Sequence, residues 1–123
     1  MHNLKELKIW NKAVDLTVDV YKSTASFPSD EKYGLTSQIR RSSVSISSNI
    51  SEGAGRNSDR EFIHFLGIAN GSSYELQTQL LIAGKLELIS NETVTTLLNQ
   101  IEEIQKMNYK FQKTLTTNVS IEV

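Results

Sequence analysis

With 123 residues, no cysteine, and 13 Lys and Arg against 14 Asp and Glu, the chain has room for one core and no disulfide, zinc-thiolate or thiol chemistry. Its formal net charge of −1 supplies no bulk positive field toward nucleic acid, so any such binding has to come from a local patch. The opening MHNLKELKIWNK lacks the apolar run of a signal peptide, and no stretch approaches the roughly 20 apolar residues that span a bilayer, so the expectation is a cytoplasmic protein with no membrane partner.

From Leu7 to Ala25, Trp10, Val14, Thr17 and Tyr21 recur at steps of four and three, flanked by Ile9, Ala13, Leu16 and Val20, with Lys12, Asp15, Asp19 and Lys22 opposite. This spacing predicts an amphipathic helix over 7–25 with a wide buried face. Phe27-Pro28 stops it, because the residue before proline is driven out of the α region. Ser29-Asp30-Glu31 then supplies a cap and two carboxylates for the positive end of a second helix.

That second helix is predicted over 35–52 on the stripe Leu35, Ile39, Ser43, Ile46 and Ile50. Its centre, SSVSISSNIS, alternates like a strand, but no second strand exists to pair with it, so the helix is preferred. Small side chains at Ser43 and Ser47 would let a neighbouring helix approach closely. Gly53-Ala54-Gly55 ends the helix, glycine being the residue that most readily takes a left-handed cap.

Ser58-Asp59-Arg60-Glu61 is a capping box that opens onto an apolar run, the sharpest boundary in the chain. Phe62, Leu66, Ala69, Ser73, Leu76, Leu80 and Ala83 predict a third helix over 59–86. Gly67 and Gly71 interrupt it, each costing about 1 kcal/mol against alanine, and their spacing suggests close helix packing or a bend. Ser90 or Asn91 caps a fourth helix over 91–115, striped by Val94, Leu97, Ile101, Ile104, Asn108, Phe111 and Leu115, with a loose tail from Thr116 to Val123. Four such helices with short connections predict an all-α, antiparallel up-and-down four-helix bundle spanning 1–123 as one domain.

A bundle invites a carboxylate-bridged di-metal site, which needs two inward E-x-x-H motifs. Glu61-Phe62-Ile63-His64 is one; the only other histidine is His2, and Glu61 is already committed to the cap. No triad spacing activates a serine, and EGAGRNSD has neither the order nor the preceding strand of a phosphate loop. The expectation is a non-enzyme with no metal and no cofactor.

The basic candidates are Arg40, Arg41, Arg56 and Arg60, with Lys5, Lys8 and Lys12 on the first helix. Neighbouring arginines point about 100° apart on a helix, so one of Arg40 and Arg41 faces a partner helix or subunit and the other faces solvent. Two uses remain open. The inward arginine pairs with a carboxylate such as Glu52 or Glu75 and the rest are solvated, or the arginines bind phosphate.

LKIWNKAVDLTVDVY, FPSDEKYGLTSQIRRSSVSISSNISEGAGR and EFIHFLGIANGSSYELQTQLLIA, with the final helix, closely resemble the four-helix bundle proteins encoded in intervening sequences of bacterial 23S ribosomal RNA genes. YGLTSQIRR, NISEG and GSSYELQTQL are the specific parts, and the likeness spans almost the whole chain. The resemblance implies a ring-like homopentamer. It also implies kinship with the accessory variability protein of diversity-generating retroelements, which works with a reverse transcriptase and binds nucleic acid through a basic surface.

Arg40 and Arg41 match the family's paired arginines, Glu52-Gly53 its helix-ending pair, and Gly71 and Glu75 its third-helix signature. Ser47-Ser48 stands where the family often has Pro-Ala, and Gly67 where many members carry a basic residue. The resulting expectation is a homo-oligomeric RNA or DNA accessory factor that touches phosphates through Arg40, Arg41, Arg56 and Arg60. The alternative is a scaffold that docks a protein, such as a polymerase or reverse transcriptase, without gripping nucleic acid.

Overall fold

The computed structural model describes the backbone of residues 1–122 and the side chains of residues 1–119. A 3-10 turn at Leu4–Glu6 leads into α1 (Lys8–Thr24), and a second at Ser29–Glu31 leads into α2 (Leu35–Ala54). Short connections then reach α3 (Asp59–Lys85) and α4 (Asn91–Glu122). Among the described residues there is no strand, and no helix is long and apolar enough to cross a membrane.

Cross-helix bonds fix the direction of each neighbour. Thr17 Oγ1 donates to the Ser43 carbonyl at 3.0 Å and Arg40 Nε to Thr24 Oγ1 at 3.0 Å, so α1 and α2 run in opposite senses. Gln105 Nε2 reaches Ser73 Oγ at 3.1 Å and Asn108 Nδ2 the Leu66 carbonyl at 2.9 Å, which sets α3 against α4. Lys12 Nζ meets Glu103 at 2.8 Å and Gln100 Nε2 meets Asp19 at 3.2 Å, closing α4 onto α1. Each helix thus packs on two others around one core, the up-and-down arrangement.

In α1 the buried residues are Ile9, Ala13, Leu16, Val20 and Thr24, whereas Trp10, Val14 and Thr17 are half-buried and Tyr21 is exposed. The axis of burial therefore lies one residue away from the predicted Trp10–Tyr21 stripe. In α3 the predicted stripe from Phe62 to Ala83 is buried throughout, and Gln79 joins it. Ser43 is fully buried where α1 lies against α2, while Ser47 is only half-buried and bonds its own helix at the Val44 carbonyl.

The helix ends follow local chemistry. Glu31 rather than Ser29 caps α2: its Oε2 accepts from the Leu35 amide at 3.0 Å, because Gly34 at the N-cap has no side chain to offer. Ser58 and Glu61 form the expected cap of α3, with the Glu61 amide donating to Ser58 Oγ at 3.2 Å. Ser90, not Asn91, caps α4, its Oγ accepting from the Thr93 amide at 3.1 Å.

Two glycine expectations need correction. Neither Gly53 nor Gly55 has a positive φ, so the end of α2 is not a left-handed glycine cap. Gly53 is instead a contact point: a Cβ there would lie 2.6 Å from Phe62 Cδ1 and 2.9 Å from Phe65 Cβ. The backbones of α2 and α3 come together at this position, and these two helices share the most extensive contact in the bundle. Gly67 and Gly71, by contrast, have nothing within 4 Å of a Cβ, so no packing inside the protomer depends on them.

The left-handed residue belongs to α3, and it is not glycine. Glu87 has φ 61°, its amide donates to the Gly84 carbonyl, and the Leu88 amide donates to the Ala83 carbonyl. This is a Schellman motif with a glutamate in the position that favours glycine. Because an L-residue in that conformation is disfavoured by about 1–2 kcal/mol, Glu87→Gly is expected to stabilise the fold by about 1 kcal/mol. Thermal unfolding checks this as a rise in Tm of roughly 4 °C.

The loose tail expected from Thr116 is also corrected: the backbone of α4 continues to Glu122, and of the predicted tail Val123 and the side chains of residues 120–122 lie outside the described residues. Leu115 is buried and anchors the last turns. Thr114, Thr116 and Thr117 each donate a hydroxyl to the carbonyl four residues back, so these polar side chains are satisfied on the helix itself.

Candidate nucleic-acid interface

The four arginines do not form one patch. Arg40 and Arg41 lie in the first half of α2, while Arg56 follows its C-terminus and Arg60 opens α3. Fifteen residues separate Arg41 from Arg56, roughly 20 Å at the helical rise.

Arg40 is half-buried and faces the end of α1, as adjacency on a helix requires of one member of the pair. It does not pair with Glu52 or Glu75. Its Nε donates to Thr24 Oγ1, a second nitrogen donates to the Tyr21 carbonyl at 3.4 Å, and the guanidinium carbon lies 4.6 Å from the Tyr21 ring centroid. A cation at the C-terminal carbonyls of α1 is favoured by the helix dipole. Arg40 therefore clamps α1 to α2.

Arg41, one residue on, is exposed and has no ion-pair or hydrogen-bond partner for its side chain among the described residues. It lines a shallow concavity of about 390 Å3 with Lys32, Arg40, Tyr21, Tyr33 and Ser37. Tyr33 is 89% exposed, and Lys32 Nζ stands 5.4 Å from its ring centroid. Of the two carboxylates in the adjoining turn, Glu31 is engaged by the Leu35 amide, and Asp30 is exposed. The corner thus gathers three cations and two accessible aromatic rings.

The other end of α2 is charge-balanced. Arg56 bonds Glu52 at 2.7 Å and lies 4.8 Å from the Phe65 ring centroid, with Glu61 lining the same depression. Asp59 contacts His2 at 3.0 Å. Arg60 is exposed without a side-chain partner among the described residues. Arg56 reads as a surface clamp. An exposed pair of this kind contributes only a few tenths of a kcal/mol to about 1 kcal/mol.

Glu61 and His64 of the E-x-x-H motif are both exposed, Glu61 at the α3 cap and His64 with its ring 5.3 Å from that of Phe65. Neither projects into the core. Sequence reasoning found Arg41 but missed Lys32, Tyr21 and Tyr33. The signal for them was the brevity of the Phe27–Gly34 connection, which folds the end of one helix beside the start of the next.

A family model for the 23S rRNA-intervening sequence protein matches residues 5–110. The chain belongs to that family. The likeness read from YGLTSQIRR, NISEG and GSSYELQTQL is therefore real, and all four arginines fall within the matched span. A similar chain path is seen in the crystal structure of a protein with unknown function from the S23 ribosomal protein family of Bacteroides thetaiotaomicron. That structure is similar with a TM-score of 0.77 and 27% identity, over 85% of this chain and 98% of the other. No curated protein matches the chain.

Proposed function

We propose that this member of the 23S rRNA-intervening sequence protein family is a non-enzymatic, homo-oligomeric accessory factor that holds RNA or DNA at the α1–α2 corner. The carrying observation is Arg41, exposed and unpaired, beside Lys32, Arg40 and the solvent-exposed side chains of Tyr21 and Tyr33. Arginine and lysine neutralise phosphate, and exposed tyrosine offers a face for an unpaired base. Arg56 and Arg60 form a secondary contact, weakened by Glu52. With a net charge of −1, one corner is a modest electrostatic site, and repetition around a symmetric assembly raises its avidity.

The surface of the protomer best suited to a second copy is the outward face of α3. Gly67 and Gly71 leave bare backbone there beside Ile68, which is 41% exposed, and Ile82, 45% exposed, lies about three turns further along the same helix. Two interior helix glycines that serve no contact within the protomer are explained when another chain approaches them. A ring of copies, five by the family resemblance, follows from a head-to-tail contact that closes.

Gly67→Leu/Gly71→Leu is expected to keep the helical circular-dichroism signal, because open space surrounds both sites, and to shift the sedimenting species toward the 13.8 kDa protomer. An unchanged oligomer would move the interface elsewhere. For nucleic acid, the expected result is measurable binding of duplex DNA and structured RNA at low salt, lowered at least tenfold in Lys32→Ala/Arg41→Ala and little changed in Arg56→Ala, where about 1.4 kcal/mol corresponds to tenfold. Binding that ignores the corner substitution would remove the site. The absence of binding at low salt would favour the scaffold alternative, in which exposed Ile68, Leu81, Ile82 and Leu86 serve a protein partner such as a polymerase.

A further inference from the structure

On the far side of the bundle, α3 and α4 leave an open groove of about 620 Å3, larger than the arginine corner. Its walls carry Asn70, Tyr74, Gln105, Tyr109, Gln112 and Lys113, with no carboxylate among the described residues that line it. Tyr74 and Tyr109 are 55% and 64% exposed, and neither hydroxyl has a partner among the described residues. Large rings held at the lip of a polar groove, outside the core, keep much of their apolar surface open to solvent.

The amides behind them are held in place. Gln105 Nε2 donates to Ser73 Oγ at 3.1 Å and to Gln77 Oε1 at 3.1 Å, which leaves its carbonyl oxygen without a partner among the described residues. Gln112 Nε2 donates to Oδ1 of Asn108, which is itself buried and bonded to the Leu66 carbonyl, so the side-chain Oε1 of Gln112 is left in the same condition. The Asn70 side chain has no partner at all among the described residues. Lys113 Nζ, 5.2 Å from the Tyr109 centroid, sets one positive charge at the rim.

The Gln105–Ser73 and Asn108–Leu66 bonds also fix the register of the two helices, placing Tyr74 near Gln105 and Tyr109 one turn further along α4. Four residues of helix separate these levels by about 6 Å, a step that successive nucleotides of an extended strand can bridge. Aromatic rings for stacking, fixed amides for base edges and a cation for the backbone are the elements by which single strands are recognised.

We infer that this groove is a second nucleic-acid site, taking unpaired bases of a single strand between Tyr74 and Tyr109. The two free glutamine Oε1 atoms accept hydrogen bonds, and the adenine amino group offers two donor hydrogens where uracil offers only its N3–H, so adenine is favoured over uracil. The choice of ligand rests on the nucleic-acid reading of the family member; the groove itself is independent of the arginine corner.

The test is fluorescence anisotropy of labelled short oligo(A) and oligo(U) and of a duplex, with wild type, Tyr74→Ala/Tyr109→Ala, Tyr74→Phe/Tyr109→Phe and Lys32→Ala/Arg41→Ala. Each protein is checked for fold by circular dichroism and for assembly by sedimentation. The expected result is oligo(A) bound more tightly than oligo(U), a loss of about tenfold or more in the alanine pair, and most of the affinity kept in the phenylalanine pair, which retains both rings. Oligo(A) binding that is unmoved by the alanine pair, lost equally in the phenylalanine pair, or no tighter than oligo(U) would overturn the inference. Single-strand binding that falls with the tyrosines while the duplex is not bound would sink the corner and leave the groove standing. Duplex binding lost with Lys32 and Arg41, and no response to the tyrosines, would do the reverse.

Discussion

Replacing Gly53 by alanine is expected to destabilise the protein by about 1–3 kcal/mol, although alanine is the better helix former by about 1 kcal/mol. The sign is decided by what the added methyl group meets. It would sit 2.6 Å from a ring carbon of Phe62 and 2.9 Å from the Cβ of Phe65. Phe62 is fully buried and in T-shaped contact with Phe111 at 5.1 Å, so its ring has no room to retreat. The Phe65 Cβ moves only with the α3 backbone. Urea unfolding should show a lower midpoint with an unchanged slope. A midpoint raised by the alanine would mean that α2 and α3 stand further apart than the structure shows.

Phe62→Ala should have the larger effect, about 3–5 kcal/mol, a substantial part of the 5–15 kcal/mol that holds a typical domain together. The ring is the junction of three segments. It meets Phe111 of α4, the His2 ring at 4.9 Å, and α2 at Gly53. Its loss leaves a cavity that cannot collapse, since Gly53 offers no side chain to fill it. It also undercuts the N-terminal segment, where the His2 amide reaches the Ala54 carbonyl at 3.0 Å and the His2 ring meets Asp59. Circular dichroism during urea titration is the check, with Phe62→Leu as the milder comparison. A loss below about 1 kcal/mol would show that this junction is not central to the core.

The fold was legible where a pattern is local. The Phe62-to-Ala83 stripe, the Ser58–Glu61 cap and the proline stop at Pro28 each depend on neighbours within a turn or two. What the sequence concealed depends on a second segment. Gly53 looks like a helix stop, and only the placement of Phe62 and Phe65 shows that it is a contact. Glu87 carries no glycine signal, because the Schellman bonds from Glu87 and Leu88 hold it in place. Thr116 and Thr117 resemble a frayed end until their hydroxyls are seen to bond back along α4.

The candidate site was half legible for the same reason. Adjacency on a helix correctly gave Arg40 and Arg41 different surroundings, but not Arg40's partners. Those are Thr24 and Tyr21, supplied by a helix sixteen and nineteen residues earlier in the chain. Charge counting grouped Arg56 and Arg60 with them, and the length of α2 separates the two pairs. Lys32 and Tyr33 gain their meaning only when the turn before α2 folds beside Arg41.

The salt dependence of duplex DNA binding decides whether the α1–α2 corner grips phosphate. Affinity measured from about 50 to about 200 mM salt should fall linearly on logarithmic axes for the wild type, and the slope should become shallower in Lys32→Ala/Arg41→Ala by about 0.9 for each phosphate contact removed. A slope identical in wild type and variant would mean that Lys32 and Arg41 touch no phosphate and that Arg41 is a solvated surface residue.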